Sequence, residues 1–284
     1  MLEILPQWLR DGIGGDAAFW IGYLTNGKHL AWYASLQYTL FAAIAGGAIA
    51  LILGLIAGTA RHGGPLPARL VAAGYMNLVR GVPDVLFFLF FPIALEQGVE
   101  WVISLQICTA DALAANIGQW PPCPAANWHL STAEYLLLAA VSLGIIYGAF
   151  AGNVIAGALN AVPKGQLEAA RAFGLSRTQV LLHIHLRQMW TYALPGLSNC
   201  WMTLLKATSL LSLLQILDPV ALAQRLGAAN FSKLAGLVHD DWRWPYYLAL
   251  LFLYIALTFV SEKIFAALTR WANRGLGPAG HDAP

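Results

Sequence analysis

The chain has 284 residues, of which 58% are hydrophobic and 11% charged, and its mean hydropathy is +0.61. A water-soluble domain carries about 45–50% apolar and about 25% charged residues. There are too few charges here to cover a water-facing surface, so the composition implies a membrane protein and excludes disorder and collagen. The formal net charge of +2 gives no reason to expect a nucleic-acid partner, and three cysteines are too few for a disulfide scaffold.

A helical span needs about 20 mostly apolar residues. Before the first such run, residues 1–34 set Glu3, Arg10, Asp11 and Asp16 among Trp8 and Trp20, with no basic leader and no long apolar core. That argues against a cleaved signal peptide and predicts an interfacial helix on the membrane surface. Five spans follow, at 35–59, 70–95, 133–159, 194–217 and 245–268. The runs are long and uninterrupted, so they read as helices and not as barrel strands alternating over about 10 residues. Residues 35–270 therefore form an all-α transmembrane domain, and 271–284 a short tail.

Lys and Arg set the expected orientation. Arg61 and Arg69 follow the first span. Lys164, Arg171, Arg177 and Arg187 lie between the third and fourth, and Lys263, Arg270 and Arg274 close the last. On the opposite side Arg10, Lys28, Arg225, Lys233 and Arg243 are diluted by Glu96, Glu100, Asp111, Glu134, Asp218, Asp240 and Asp241. Positive-inside bias then puts the N-terminus outside and the C-terminus in the cytoplasm.

Small residues recur every four positions in two spans, as Gly46, Ala50, Gly54 and Gly58 and as Gly144, Gly148, Gly152 and Ala156. This period aligns them on one helical face and lets another backbone approach closely. Bundle packing explains the stripes, and a subunit interface or a sliding contact remains the alternative.

The stretch at about 161–190 is polar and reads AVPKGQLEAARAFGLSRTQVLLHIHLRQMW. Pro163 and Gly165 end the third span, residues 166–173 form a short helix ended by Gly174, and Ser176 caps a second helix. Leu167, Ala169, Ala170, Phe173 and Leu175 are packed too densely for a solvated loop. Two basic helices bent at a glycine form a docking element for a soluble partner.

This stretch resembles the EAA loop of ABC importer permeases. The likeness rests on Glu168-Ala169-Ala170 with Arg171 after it, the spaced Gly174, and Ile184 with Leu186. Arg80-Gly81-Val82-Pro83-Asp84, Tyr147-Gly148-Ala149, Ala161-Val162-Pro163-Lys164-Gly165 and Leu205-Lys206-Ala207-Thr208-Ser209-Leu210 are similar to the polar amino acid branch, in particular to permeases for histidine and other basic amino acids. The resemblance covers about 35–218 well. It implies an inner-membrane permease with a five-helix fold and no enzyme activity or bound cofactor of its own. Two cytoplasmic ATPase subunits that bind ATP and Mg would seat on the loop. A homologous or identical permease subunit would complete the pathway, and a periplasmic amino acid-binding protein would deliver substrate. Arg187 stands where the pattern has proline, so the second coupling helix is expected to run on. Asn153 and Ala156 replace an acid and an arginine usual in the third span, and the outer loop at 96–131 is longer than usual.

Other chemistries fit poorly. His183 and His185 are two apart and point to different helix faces, so they read as solvated residues and not as metal ligands. No Gly-Lys-Ser/Thr phosphate loop or nucleophile elbow occurs. An ion-coupled secondary transporter would show paired repeats, which five spans do not provide. A non-transporting scaffold would not need a lysine within a span. Cys108 and Cys123, both in the outer loop, are either a disulfide or two free thiols.

Lys206 is the cation deepest in the fourth span. Counted from a break at Pro195-Gly196 it lies about 15 Å deep, on one stripe with Asn199 and Thr203. Asp84 falls at a compatible depth if the second span stays helical through Pro83. Lys206 is therefore either paired with Asp84 or lines a path with Asp84, Asn153, Asn199 and Thr203, where it meets a substrate carboxylate.

Overall fold

The computed structural model describes residues 17–128, 130–229 and 240–274. Residues 1–16 of the expected interfacial segment, Lys233 and residues 275–284 of the tail lie outside them. Two short helices, α1 (Ala17–Leu24) and α2 (Gly27–Ala34), lead into α3 (Leu36–Gly63). Then come α4 (Leu66–Gly81), α5 (Asp84–Ile107), α6 (Ala110–Ala115) and α7 (Thr132–Ala161). The polar stretch forms α8 (Lys164–Ala172) and the single turn α9 (Arg177–Gln179), which continues through a wider π turn, Val180–His185, into α10 (Leu186–Ala207). After a 3-10 segment, Thr208–Leu214, come α11 (Pro219–Gly227) and α12 (Arg243–Ala272).

Four helical stretches are long and apolar enough to cross a membrane: Gly27–Gly63, Asp84–Ile107, Thr132–Ala161 and Arg243–Ala272. The bent pair Val180–Leu214 and Pro219–Gly227, turned by 57°, supplies a fifth candidate.

The core is built on α7. Its start is fixed by a capping box, in which Ser131 Oγ accepts from the Glu134 amide and Glu134 accepts from the Ser131 amide. The two small-residue stripes meet each other inside the chain. A Cβ on Gly54 would stand 2.7 Å from the Ala151 Cβ, and one on Gly58 would stand 2.9 Å from the Gly152 carbonyl oxygen. Close approach of α3 and α7 is therefore their role, as simple bundle packing requires. Around the contact, Ala42, Leu143, Ile146, Phe88 and Leu204 form the main buried cluster.

Two spans differ from the sequence expectation. The stretch expected at 70–95 breaks at Val82-Pro83, where Val82 is extended at φ −97° and ψ 137°. Proline disfavours helical geometry in the residue before it, so α4 stops and the membrane-length helix begins only at Asp84. The break expected at Pro195-Gly196 is absent, since α10 runs through both. A proline inside a membrane helix is tolerated where neighbouring groups compensate. Gly196 serves packing instead, because a Cβ there would lie 2.6 Å from Val154 Cγ1.

The helix that begins at Arg177 thus reaches Ala207, tightens, and ends at Gln215 with φ +59°. Asp218 then caps α11 by accepting from the Ala221 amide at 2.8 Å. At the same end, a disulfide joins Cys108 to Cys123 with a Cα–Cα distance of 6.1 Å. Glu100, only 5% exposed, accepts from Trp120 Nε1 and from the Trp128 amide at 3.0 Å, tying the long loop onto α5. Below, this is the disulfide end of the bundle, and the end carrying Arg61, Lys164 and Arg187 is the basic end.

Candidate functional site

At the basic end, Pro163 turns the chain out of α7 and into α8. Ala170 is buried, and Leu167 is half-buried against Leu159, Val162 and Met189. The helix closes in a Schellman motif: the Leu175 amide donates to the Ala170 carbonyl at 3.3 Å, and the Gly174 amide to the Arg171 carbonyl at 2.9 Å. Gly174 takes φ +83°, which L side chains resist. One residue later, the Ser176 amide donates to Gln179 Oε1 and the Gln179 amide to Ser176 Oγ, a second capping box that starts the next helix.

The faces of α8 are thereby sorted. Leu167 and Ala170 hold the loop to the bundle, while Glu168, Ala169 and Arg171 are exposed. Phe173, expected to pack with them, is 87% exposed. It is the helix C-cap, and the left-handed turn that follows directs it away from the bundle.

Behind the loop, His185 is buried, contrary to its reading as a solvated residue. Its Nε2–H donates to the Leu159 carbonyl at 2.7 Å, and its ring meets that of His62 edge-on at 4.9 Å. His62 Nδ1 in turn lies 2.9 Å from Asn160 Oδ1. Ile184, half-buried in the π turn, sits on the same segment. Among the described residues, no group of three His, Cys, Asp or Glu side chains could hold a metal ion.

The second set of polar residues lies along the helices. Asn199, Thr203 and Lys206 are exposed on one stripe of α10, and the Thr203 hydroxyl donates to the Asn199 carbonyl at 2.9 Å. Asp84, at the N-terminus of α5 where the helix dipole favours a carboxylate, accepts from the Tyr147 hydroxyl at 3.1 Å. The Arg80 guanidinium lies 5.5 Å over the Phe150 ring. Asn153 accepts from Arg61 Nη1 at 3.3 Å.

Lys206 and Asp84 do not pair. Among the described residues the Lys206 side chain has no ion-pair or hydrogen-bond partner. The depth count failed because the second span is broken at Pro83 and the fourth begins at 177 instead of 195. Lys206 consequently stands in the last turn of α10, toward the disulfide end, while Asp84 stands beside Tyr147 in the middle of α7.

Residues 21–274 match the model of the family described as binding-protein-dependent transport system inner membrane component. The chain belongs to that family. It is thus a multi-pass membrane component of a transport system. It is 33% identical over 240 residues to the histidine/lysine/arginine/ornithine transport system permease protein HisQ of Escherichia coli K12, covering 84% of this chain and 91% of that one. To the arginine ABC transporter permease protein ArtQ of the same strain it is 29% identical over 211 residues, 73% of this chain and 80% of that one. The fold is similar to that in a crystal structure of an amino acid ABC transporter with histidines, with a TM-score of 0.62 at 19% identity over 90% of this chain and 98% of that one. A chain of the inward-facing MetNI methionine ABC transporter gives a TM-score of 0.52 at 14% identity over 85% and 94%.

Sequence reasoning missed the polar pairs around these sites. Tyr147 beside Asp84, Arg80 over Phe150 and His185 against Leu159 are contacts between distant segments. None has a spacing signal, and only the three-dimensional arrangement brings them together.

Proposed function

We propose that this chain is the transmembrane permease subunit of an ATP-driven ABC importer for polar amino acids, with its basic end and C-terminus in the bacterial cytoplasm. Membership of the family and the names of the amino acid permeases to which it is similar support the class. The observation that carries the coupling role is α8, clamped to the bundle through Leu167 and Ala170 with Glu168, Ala169, Arg171 and Phe173 turned outward. Two cytoplasmic ATPase subunits dock there, on this chain and on a second, homologous or identical permease subunit. They bind ATP and Mg, and the permease binds no cofactor. A periplasmic binding protein delivers the amino acid at the disulfide end.

Closure of the ATPases moves the coupling helices, and each bundle rocks as a body between its two states. Gly174 and Ile184 belong to the same coupling unit, one setting its bend and the other its union with α10. Asp84, Asn153, Asn199, Thr203 and Lys206 line or border the path, where the unpaired Lys206 ammonium meets the substrate carboxylate.

The test is co-purification of the ATPase with Phe173→Asp and Glu168→Lys variants, together with uptake of labelled basic and neutral amino acids into vesicles holding the whole assembly. Both variants are expected to insert normally, to lose the ATPase and to stop uptake. Retention of the ATPase with normal uptake in both would overturn the coupling role.

A further inference from the structure

On the side of α10 opposite Asn199, Thr203 and Lys206, the structure holds an apolar cleft of about 500 Å³. Its walls are α3, α10 and α12, with α7 at the back. On α10 the lining positions Trp190, Leu194, Leu197, Trp201 and Leu204 follow a helical period, so the cleft runs along about 21 Å of that helix. That exceeds half of the about 30 Å hydrocarbon core of a bilayer. On α3 the wall is low, formed by Gly47, Ala48 and Leu51. The polar stripe of α10 faces the other way, so the cleft lies on the side of α10 away from the proposed path.

The end of the cleft is chemically distinct from its length. Trp190 and Trp271 frame it at the basic end, where indole rings mark the headgroup level of a membrane. Arg187 lies one turn from Trp190 on the same face of α10, and Arg274 follows the end of α12 three residues after Trp271, its amide donating to the Trp271 carbonyl at 3.1 Å. Both are exposed, and neither has a salt bridge among the described residues. Residues 186–195 and 265–274, which flank the opening, contain no acidic side chain. Arg187 is also the residue that stands in place of the loop proline, and the coupling role leaves it unused.

We propose that this cleft binds one anionic phospholipid of the cytoplasmic leaflet, with an acyl chain along Leu194, Leu197 and Trp201 and its phosphate between Arg187 and Arg274. A basic pocket between membrane helices on the cytoplasmic side recognises anionic headgroups in this way. The leaflet assignment rests on the orientation proposed above, whereas the cleft and its charges do not.

The full chain, with the subunits that co-purify, is placed in nanodiscs of equal phosphatidylglycerol and phosphatidylethanolamine. It is then released into detergent and weighed by native mass spectrometry. The wild type is expected to retain phosphatidylglycerol in preference to phosphatidylethanolamine. Each arginine near an anionic surface contributes about fivefold to affinity, so Arg187→Gln with Arg274→Gln should lower retained phosphatidylglycerol about 25-fold. Ala48→Trp, which fills the low wall, should abolish retention. Lys263→Gln, which removes a charge stacked on Phe259 outside the cleft, should leave it unchanged. Equal retention of both lipids, an unchanged phosphatidylglycerol count in the double arginine variant, or an equal fall in Lys263→Gln would overturn the proposal. So would capture of the second permease subunit by a photo-cross-linker attached to the thiol of Leu51→Cys, which would make the cleft a subunit interface.

Discussion

Replacing Gly174 by valine isolates the backbone of the coupling loop from its contacts. A Cβ built at Gly174 meets nothing within 4 Å, so the substitution introduces no clash and its whole effect comes from φ +83°. Holding an L residue in the left-handed region costs about 1–2 kcal/mol, and a β-branched residue stands at the upper end or beyond. If the chain instead abandons that conformation, it gives up the two Schellman bonds, worth about 0.5–1.5 kcal/mol each. Both routes reach about 1–3 kcal/mol, which lowers the population of the docked geometry about 5- to 150-fold. Asparagine tolerates positive φ, so a series of Gly174→Asn, Gly174→Ala and Gly174→Val grades the strain at constant exposure. Uptake into vesicles, normalised to chain inserted in the membrane, should fall in that order, with the valine variant close to background. Equal uptake by the valine and asparagine variants would refute the reasoning.

Three further outcomes are expected. Gly54→Leu drives a side chain into Ala151 and should destabilise the bundle by about 1–3 kcal/mol, whereas Gly74→Ala, with nothing within 4 Å, should stabilise α4 by about 0.5–1 kcal/mol; thermal unfolding in detergent with the two changes indistinguishable would contradict the packing account. Before reduction, neither Cys108 nor Cys123 should take a maleimide label in denaturant, and both should do so after reduction. Releasing this crosslink, whose partners are 15 residues apart, should loosen the loop by about 3 kcal/mol, read as faster proteolysis between α5 and α7. Lys206→Met should leave the yield of folded chain unchanged, because no partner is stranded, while raising the substrate concentration needed for half-maximal uptake; a collapsed yield would restore a structural role for the lysine.

The sequence made the membrane class, the helix types and the coupling loop legible for a physical reason: each depends on neighbours a few residues apart. Gly174 before Ser176, with Gln179 three residues on, specifies a helix stop and a restart through local hydrogen bonds. The small-residue period at Gly46 to Gly58 likewise announces close packing. Depth within the membrane was not legible, because it accumulates along a helix and one misplaced break displaces everything after it. Pro83 does break its span while Pro195 does not, and what separates them is the surroundings: α10 continues past Pro195 with Gly196 close against Val154. Burial of polar groups was equally hidden. Glu100 and His185 look like surface residues until Trp120, Trp128 and Leu159 are seen to engage them.

The unbroken helix from Arg177 to Ala207 has a mechanical consequence. From Gln179 to Lys206 it measures about 40 Å, and at Gly196 it passes so near α7 that a Cβ there would stand 2.6 Å from Val154 Cγ1. If the bundle rocks about the level of Gly196, the arm on the coupling side is about 26 Å and the arm toward Lys206 about 15 Å. A sideways push of about 3 Å at the loop would therefore arrive at Lys206 as about 1.7 Å in the opposite direction. In a bundle that rocks as a body, the helix would exchange travel for force between the coupling loop and Lys206.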